Sequence, residues 1–121
     1  MSPFKGQTGL KRIVNAAGYS LAGLRVAIAG EAAFRQLMLL NLVLIPLAFY
    51  SDVSRGERAL MVGVCLLALI VELLNSALEA AVDRISLEVH PLSKNAKDMG
   101  SAAQFMSLTL IASVWTVILL G

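Results

Sequence analysis

One cysteine, one histidine and one tryptophan are all that this 121-residue chain contains of those residue types. A lone Cys65 excludes an intrachain disulfide, and its place inside an apolar run reads as a small packed or lipid-facing residue that says nothing of compartment. His90 has no second His or Cys at ligand spacing, which excludes a zinc-type site and leaves it as an exposed loop residue. The sequence lacks G-x-x-x-x-G-K-S/T, a Gly-rich strand-to-helix loop and a nucleophile elbow, so P-loop and protein-kinase chemistry are excluded. Basic residues are not interleaved with aromatics and net charge is only +2, which argues against nucleic acid and for an anionic lipid leaflet as partner. Charge of either sign is scarce, at 15% of residues against 58% hydrophobic ones. With mean hydropathy +0.78, the expected solvent is a bilayer. No cleavable signal peptide is expected, because residues 1–12 are polar and Gly-rich. Internal repeats and low-complexity tracts are also missing.

What remains is the pattern of an all-α membrane protein with a single domain over residues 1–121. From Leu10 the apolar residues Ile13, Val14, Ala17, Leu21, Leu24 and Ile28 recur at helical period, with Lys11, Arg12, Asn15, Ser20 and Arg25 opposite them. This predicts an amphipathic surface helix over about 8–29, lying in the headgroup plane and interrupted near Gly18-Tyr19-Ser20. Three membrane-spanning helices follow, over about 31–50, 57–83 and 101–120, each close to or above the ~20 residues a span needs. Pro46 removes one backbone donor and is expected to kink the first. Residues 51–58 read as a polar turn, and 83–100, containing Pro91, as a polar loop. Lys5, Lys11, Arg12, Arg25 and Arg35 precede or open the first span, and Arg84, Lys94 and Lys97 lie around the loop. Only Arg55 and Arg58 stand at the other side, so the N-terminus and the 83–100 loop are expected in the cytoplasm and the C-terminus across the membrane. Trp115 then reads as an interfacial anchor or a lipid contact near the far leaflet. A chain this short cannot wrap a large site alone, so oligomerisation with shared active sites is expected.

The chemistry sits in the second span. Glu72, Asn75, Glu79 and Asp83 form one polar stripe on the helix, with Glu72 and Glu79 roughly 10 Å apart along its axis. A carboxylate at mid-bilayer costs at least ~2.5 kcal/mol on insertion scales, so it calls for a partner or a task. The bland alternative is a structural network with Asn75 and Arg84. Depth separates the candidate tasks: Glu72, deeper, suits proton transfer, whereas Glu79 and Asp83, near the surface, suit ligand roles. Glu31 reads either as a surface ion pair with Arg35 or, with Glu79, as a holder of a hard cation such as Mg²⁺. Lys97 and Asp98 suit phosphate neutralisation and metal binding; the alternative is a solvated helix start capped by Ser93 or Asp98.

The stretch Glu72-Leu73-Leu74-Asn75-Ser76-Ala77-Leu78-Glu79-Ala80-Ala81-Val82-Asp83-Arg84, with Ala96-Lys97-Asp98-Met99-Gly100-Ser101-Ala102-Ala103, strongly resembles the small prokaryotic integral-membrane diacylglycerol kinases. Ala16-Ala17-Gly18-Tyr19-Ser20 and Glu31-Ala32-Ala33-Phe34-Arg35-Gln36 match as well, in the right order and at the right separations. The resemblance implies a homotrimer of three-span subunits in the bacterial inner membrane, using ATP and Mg²⁺ to phosphorylate diacylglycerol to phosphatidic acid in phospholipid recycling. It implies Glu72 as general base, supported by Asn75, and Glu31 and Glu79 as metal ligands. It places Arg12, Tyr19, Glu88, His90, Lys97 and Asp98, with Glu31 and Glu79, around the nucleotide, and Arg12, Ser20, Arg25, Arg35, Glu72 and Ser101 near the lipid. Leu37, Leu21 and Ser86 depart from the family's familiar Glu, Trp and Gly, and Pro91 falls in the nucleotide loop. Two alternatives stay open: a related branch phosphorylates undecaprenol, and an intramembrane Glu also suits a small ion-coupled transporter.

Overall fold

The computed structural model describes residues 8–121, so Lys5, counted above among the basic residues, lies outside the described part. Four helices make up these residues: α1 Gly9–Gly30, α2 Ala32–Tyr50, α3 Arg55–Ile85 and α4 Pro91–Leu120. All four are long and apolar enough to cross a membrane. The described residues are all-helical apart from short connections, in helices suited to a membrane.

α1 runs unbroken through Gly18, Tyr19 and Ser20, contrary to the interruption read from the sequence. A glycine in a helix loses entropy, about 1 kcal/mol against alanine, but keeps its backbone hydrogen bond. The Ser20 hydroxyl is absorbed in the same way, donating to the Ala16 carbonyl at 2.9 Å. α1 ends at Gly30, and the single extended residue Glu31 separates it from α2. There Arg35 does not pair with Glu31. Its Nη1 donates instead to the carbonyls of Ile28 at 2.8 Å and Ala29 at 3.1 Å. The last turn of α1 carries no basic residue of its own, so Arg35 supplies the cation that its exposed carbonyls favour.

α2 continues past Pro46 to Tyr50. The turn that follows is shorter than the sequence suggests, because α3 already starts at Arg55. Ser54 caps α3 through a reciprocal capping box with Glu57. Arg58 closes the turn from above, donating from Nε to Ala48 O at 3.1 Å and from Nη2 to Ser51 O at 3.0 Å.

α3 has 31 residues, about 46 Å at 1.5 Å per residue, which exceeds a ~30 Å hydrocarbon core. Its last turns therefore carry Glu79 and Asp83 away from the depth of Glu72. The 83–100 segment is mostly helix and not a loop: only residues 86–90 are non-helical. Pro91 opens α4 at its first position, where a missing N–H costs nothing and the fixed φ suits a helix. His90, and neither Ser93 nor Asp98, is the cap, its Nδ1 accepting from Leu92 N at 3.1 Å.

α3 is the central helix, packed against α2 on one side and α4 on the other. Leu37, Val64, Cys65, Ala68 and Ile111 form the core, flanked by Leu44, Ile45, Leu69, Val114 and Trp115. Leu37, where the family's familiar residue is Glu, is thus a core side chain. The Trp115 indole donates to Met61 O at 3.2 Å and ties α4 to α3. Asn41, also buried, ties α2 to α3 by donating to Cys65 O at 3.0 Å. Large apolar side chains including Leu42, Phe49, Ile70, Phe105 and Val117 stay exposed, a surface suited to lipid or to other subunits.

Candidate active site

Many of the residues that the sequence singles out line one of three spaces. A central cavity of about 390 Å³ is lined by Glu31, Glu72, Asn75, Glu79 and Ser101, with Ala33, Gln104, Phe105 and Leu108. It gathers the α1–α2 junction, the α3 stripe and the 101–108 part of α4. An apolar cleft of about 560 Å³ lies between α1 and α3, with Ser20, Leu24, Ala27, Leu73 and Ala77 in its walls and Glu31 again at its edge. A third space of about 250 Å³ lies where α3 hands over to α4, lined by Asp83, Glu88, His90, Lys94, Lys97 and Asp98 among others. Glu31 belongs to both of the first two, so the acidic cavity and the apolar cleft meet at that carboxylate.

Within the stripe, exposure rises along α3. Glu72 is 6% exposed, Glu79 is half-buried, and the Asp83 side chain is 48% exposed. The network around Glu72 differs from the one anticipated with Asn75 and Arg84. Its Oε1 accepts from Gln104 Nε2 at 3.0 Å and its Oε2 from Ser76 Oγ at 3.4 Å. Asn75 instead turns its carboxamide toward α4, where a Cβ at Gly100 would clash with Asn75 Oδ1. Only glycine at position 100 permits that approach, and the buried Asn75 Oδ1 has no hydrogen-bond partner among the described residues.

Lys97 and Asp98 do not pair with each other. Lys97 Nζ meets Asp83 Oδ1 at 2.7 Å, linking the end of α3 to the start of α4, and Lys94 meets Asp98 Oδ2 at 2.5 Å within α4. Lys97 precedes the uncharged 102–120 stretch, and the Asp83 hydrogen bond raises its pKa, which keeps the ammonium charged. Both pairs are solvent-exposed, so each is weak and either can open to an incoming anion. Arg12, Tyr19 and Arg25 line none of the three spaces. Arg35 is engaged at the α1 terminus and Trp115 in the bundle.

No group of three or more His, Cys, Asp or Glu residues is poised around a metal position among the described residues. Glu31 and Glu79 on one cavity nevertheless fit Mg²⁺, which takes one or two carboxylates and completes its shell with water and phosphate oxygens.

Sequence reasoning missed Gln104 and Ser76, the two side chains that hold Glu72. The available signal was faint: Gln104 is the only carboxamide within the apolar 102–120 stretch.

The fold and the site together define a helical membrane protein with an acidic, partly buried cavity opening onto an apolar cleft. The sequence model described as prokaryotic diacylglycerol kinase matches residues 18–119. A diacylglycerol kinase of Pseudomonas aeruginosa is 78% identical over 99% of this chain and 98% of its own length. Those of Escherichia coli K12 and Haemophilus influenzae are 47% and 46% identical over 93% of this chain, covering 92% and 95% of their own lengths. The chain belongs to the prokaryotic diacylglycerol kinase family and is an enzyme.

Proposed function

We propose that the chain is an ATP-dependent lipid kinase that phosphorylates the primary hydroxyl of diacylglycerol to phosphatidic acid, serving phospholipid recycling in the bacterial inner membrane. The observation that carries this reading is the convergence of Glu31, Glu72, Glu79 and Ser101 on one cavity that adjoins an apolar cleft. The relatives, named for diacylglycerol, favour it over undecaprenol as the lipid.

In this mechanism the lipid's acyl chains occupy apolar surface near Ser20 and Leu24, and its hydroxyl reaches Glu72 near Ser101. Glu72 accepts the hydroxyl proton as that oxygen bonds to the γ-phosphorus, and the bond from phosphorus to the β,γ-bridging oxygen breaks to release ADP. Glu31 and Glu79 would hold Mg²⁺, whose charge, when bound, offsets that of the phosphates. Lys97 releases Asp83 to meet phosphate oxygens, and Asp98, Glu88 and His90 border the nucleotide beside it. Arg12, Tyr19 and Arg25 approach from α1 of the same or a neighbouring subunit, which a homotrimer with shared sites supplies. Asn75 lines the same cavity as the base without a hydrogen bond to it, and Arg35 acts by fixing the end of α1 next to Glu31.

An intramembrane Glu also fits a transporter, so the first test is ATP consumption in mixed micelles with and without dioctanoylglycerol. The kinase reading expects turnover that depends on the lipid; ATP consumption indifferent to it, or none, removes the reading.

The same reading assigns three spans and places α1 at the interface. Although α1 is long enough to cross, Ala27 is its only buried residue, and it carries Lys11, Arg12 and Arg25. The N-terminus and the 86–90 connection then face the cytoplasm and the C-terminus the periplasm. A tag after Gly121 should be reached by protease only from the periplasmic side, and a Lys94→Cys variant by impermeant maleimide only from the cytoplasmic side. Labelling of both positions from one side would require an even number of crossings between them and would end this topology.

A further inference from the structure

We propose that Gln104 is the positioning residue for Glu72, locking one carboxylate oxygen so that the other is presented to the lipid hydroxyl; this rests on Glu72 being the base. The geometry is specific. Both N–H groups of one carboxamide nitrogen are used: Gln104 Nε2 lies 3.0 Å from Glu72 Oε1 and 3.1 Å from the Ala68 carbonyl. Both partners are pure acceptors when Glu72 is ionised, so the opposite orientation of the amide would set oxygen against oxygen. The far side is held too. Gln104 Oε1 lies within hydrogen-bond reach of the Ser107 hydroxyl, one turn along α4. Ser107 is itself buried, and its hydroxyl also approaches the Gln104 carbonyl at 2.9 Å.

The consequence for Glu72 is an asymmetric carboxylate. Oε1 accepts a close hydrogen bond from an anchored amide, whereas Oε2 has only Ser76 Oγ at 3.4 Å. A proton arriving from substrate is therefore taken at Oε2, the less engaged oxygen, while Oε1 keeps the side chain from rotating away. Gln104 also stands between two spaces that Glu72 shares with it: the acidic cavity, and a second one lined by Gln36, Leu37 and Leu40. Without the amide the Glu72 side chain is free to swing from one to the other, and a base displaced by an ångström loses much of its effect. Since 102–120 brings no charge to this region, this stretch of α4 grips the carboxylate through an uncharged donor.

The test is a cycle of Gln104→Met and Glu72→Gln in the full-length protein in mixed micelles, read by transfer of labelled γ-phosphate to dioctanoylglycerol. Methionine keeps the volume and length of Gln104 but cannot donate. The expected result is a fall in kcat of about tenfold, with KM for MgATP and for lipid within about twofold. In a Glu72→Gln background the same change should cost less than about twofold, because there is no base left to position. An equal loss in both backgrounds, or a loss that appears in KM, makes Gln104 a packing residue and overturns the proposal, as does wild-type kcat in Gln104→Met. Should Gln104→Met fail to yield folded protein, Ser107→Ala decides, since it frees the amide without altering the core. It should lower kcat about threefold in the wild-type background and leave Glu72→Gln unchanged; equal effects in both backgrounds overturn the proposal. Failure of the underlying reading looks different: Glu72→Gln itself would then turn over at near-native rate, whatever position 104 holds.

Discussion

Glu72→Gln is expected to lower kcat for dioctanoylglycerol at least about 100-fold while leaving KM for MgATP within about twofold. The substitution keeps the size of the side chain and still offers an oxygen to Gln104 Nε2, so the α3–α4 tie at 3.0 Å has a replacement. What is lost is the capacity to take a proton. Glu72 is nearly fully buried, two turns deeper in α3 than Glu79, and water is a poor substitute base at such a place. Steady-state kinetics over both substrates, with a melting curve to verify the fold, check the split. Near-native turnover would mean that the carboxylate serves packing and that the stripe on α3 is structural.

Glu79→Gln should fail in another way. Loss of an anionic ligand is expected to raise the Mg²⁺ concentration for half-maximal activity about tenfold or more, with kcat partly restored at saturating metal. Glu79 is half-buried on the same cavity as Glu31, so Glu31→Gln should show the same dependence. The two classes of variant thus separate on one axis, added Mg²⁺, which helps Glu79→Gln and Glu31→Gln and does nothing for Glu72→Gln. Titrating activity with MgCl₂ at fixed MgATP measures it. If Glu79→Gln is insensitive to metal and only slow, its carboxylate does not hold the ion.

Much of this arrangement is legible in the sequence, and the exceptions have physical causes. Long apolar runs dictate membrane-suited helices, and the spacing of Glu72, Asn75, Glu79 and Asp83 dictates a stripe, because both follow from helical period alone. Residues 91–100 mislead because their polar composition resembles a loop, whereas Pro91 at the first position and the His90 cap start a helix there. Gly18 and Ser20 look like breakers, yet a continuous helix satisfies the backbone of the first and the hydroxyl of the second. Arg35 illustrates a different limit. Its i,i+4 spacing to Glu31 is a helical argument, but Glu31 is extended, and the nearby carbonyls of α1 win the guanidinium. Asp98 likewise finds Lys94 within its own helix and leaves Lys97 to Asp83. The grip of Gln104 on Glu72 joins residues 32 positions apart, and only the packing of α3 on α4 brings them together.

The central claim, that this site moves phosphate from ATP to a lipid hydroxyl, is tested most directly by following the γ-phosphate itself. Purified wild-type protein in mixed micelles is given γ-labelled ATP, Mg²⁺ and dioctanoylglycerol, and the label is partitioned between organic and aqueous phases and identified by mass. The account predicts label in phosphorylated dioctanoylglycerol in equimolar amount with ADP, and almost none with Glu72→Gln. Label appearing only as inorganic phosphate, or ADP formed equally without the lipid, would contradict it.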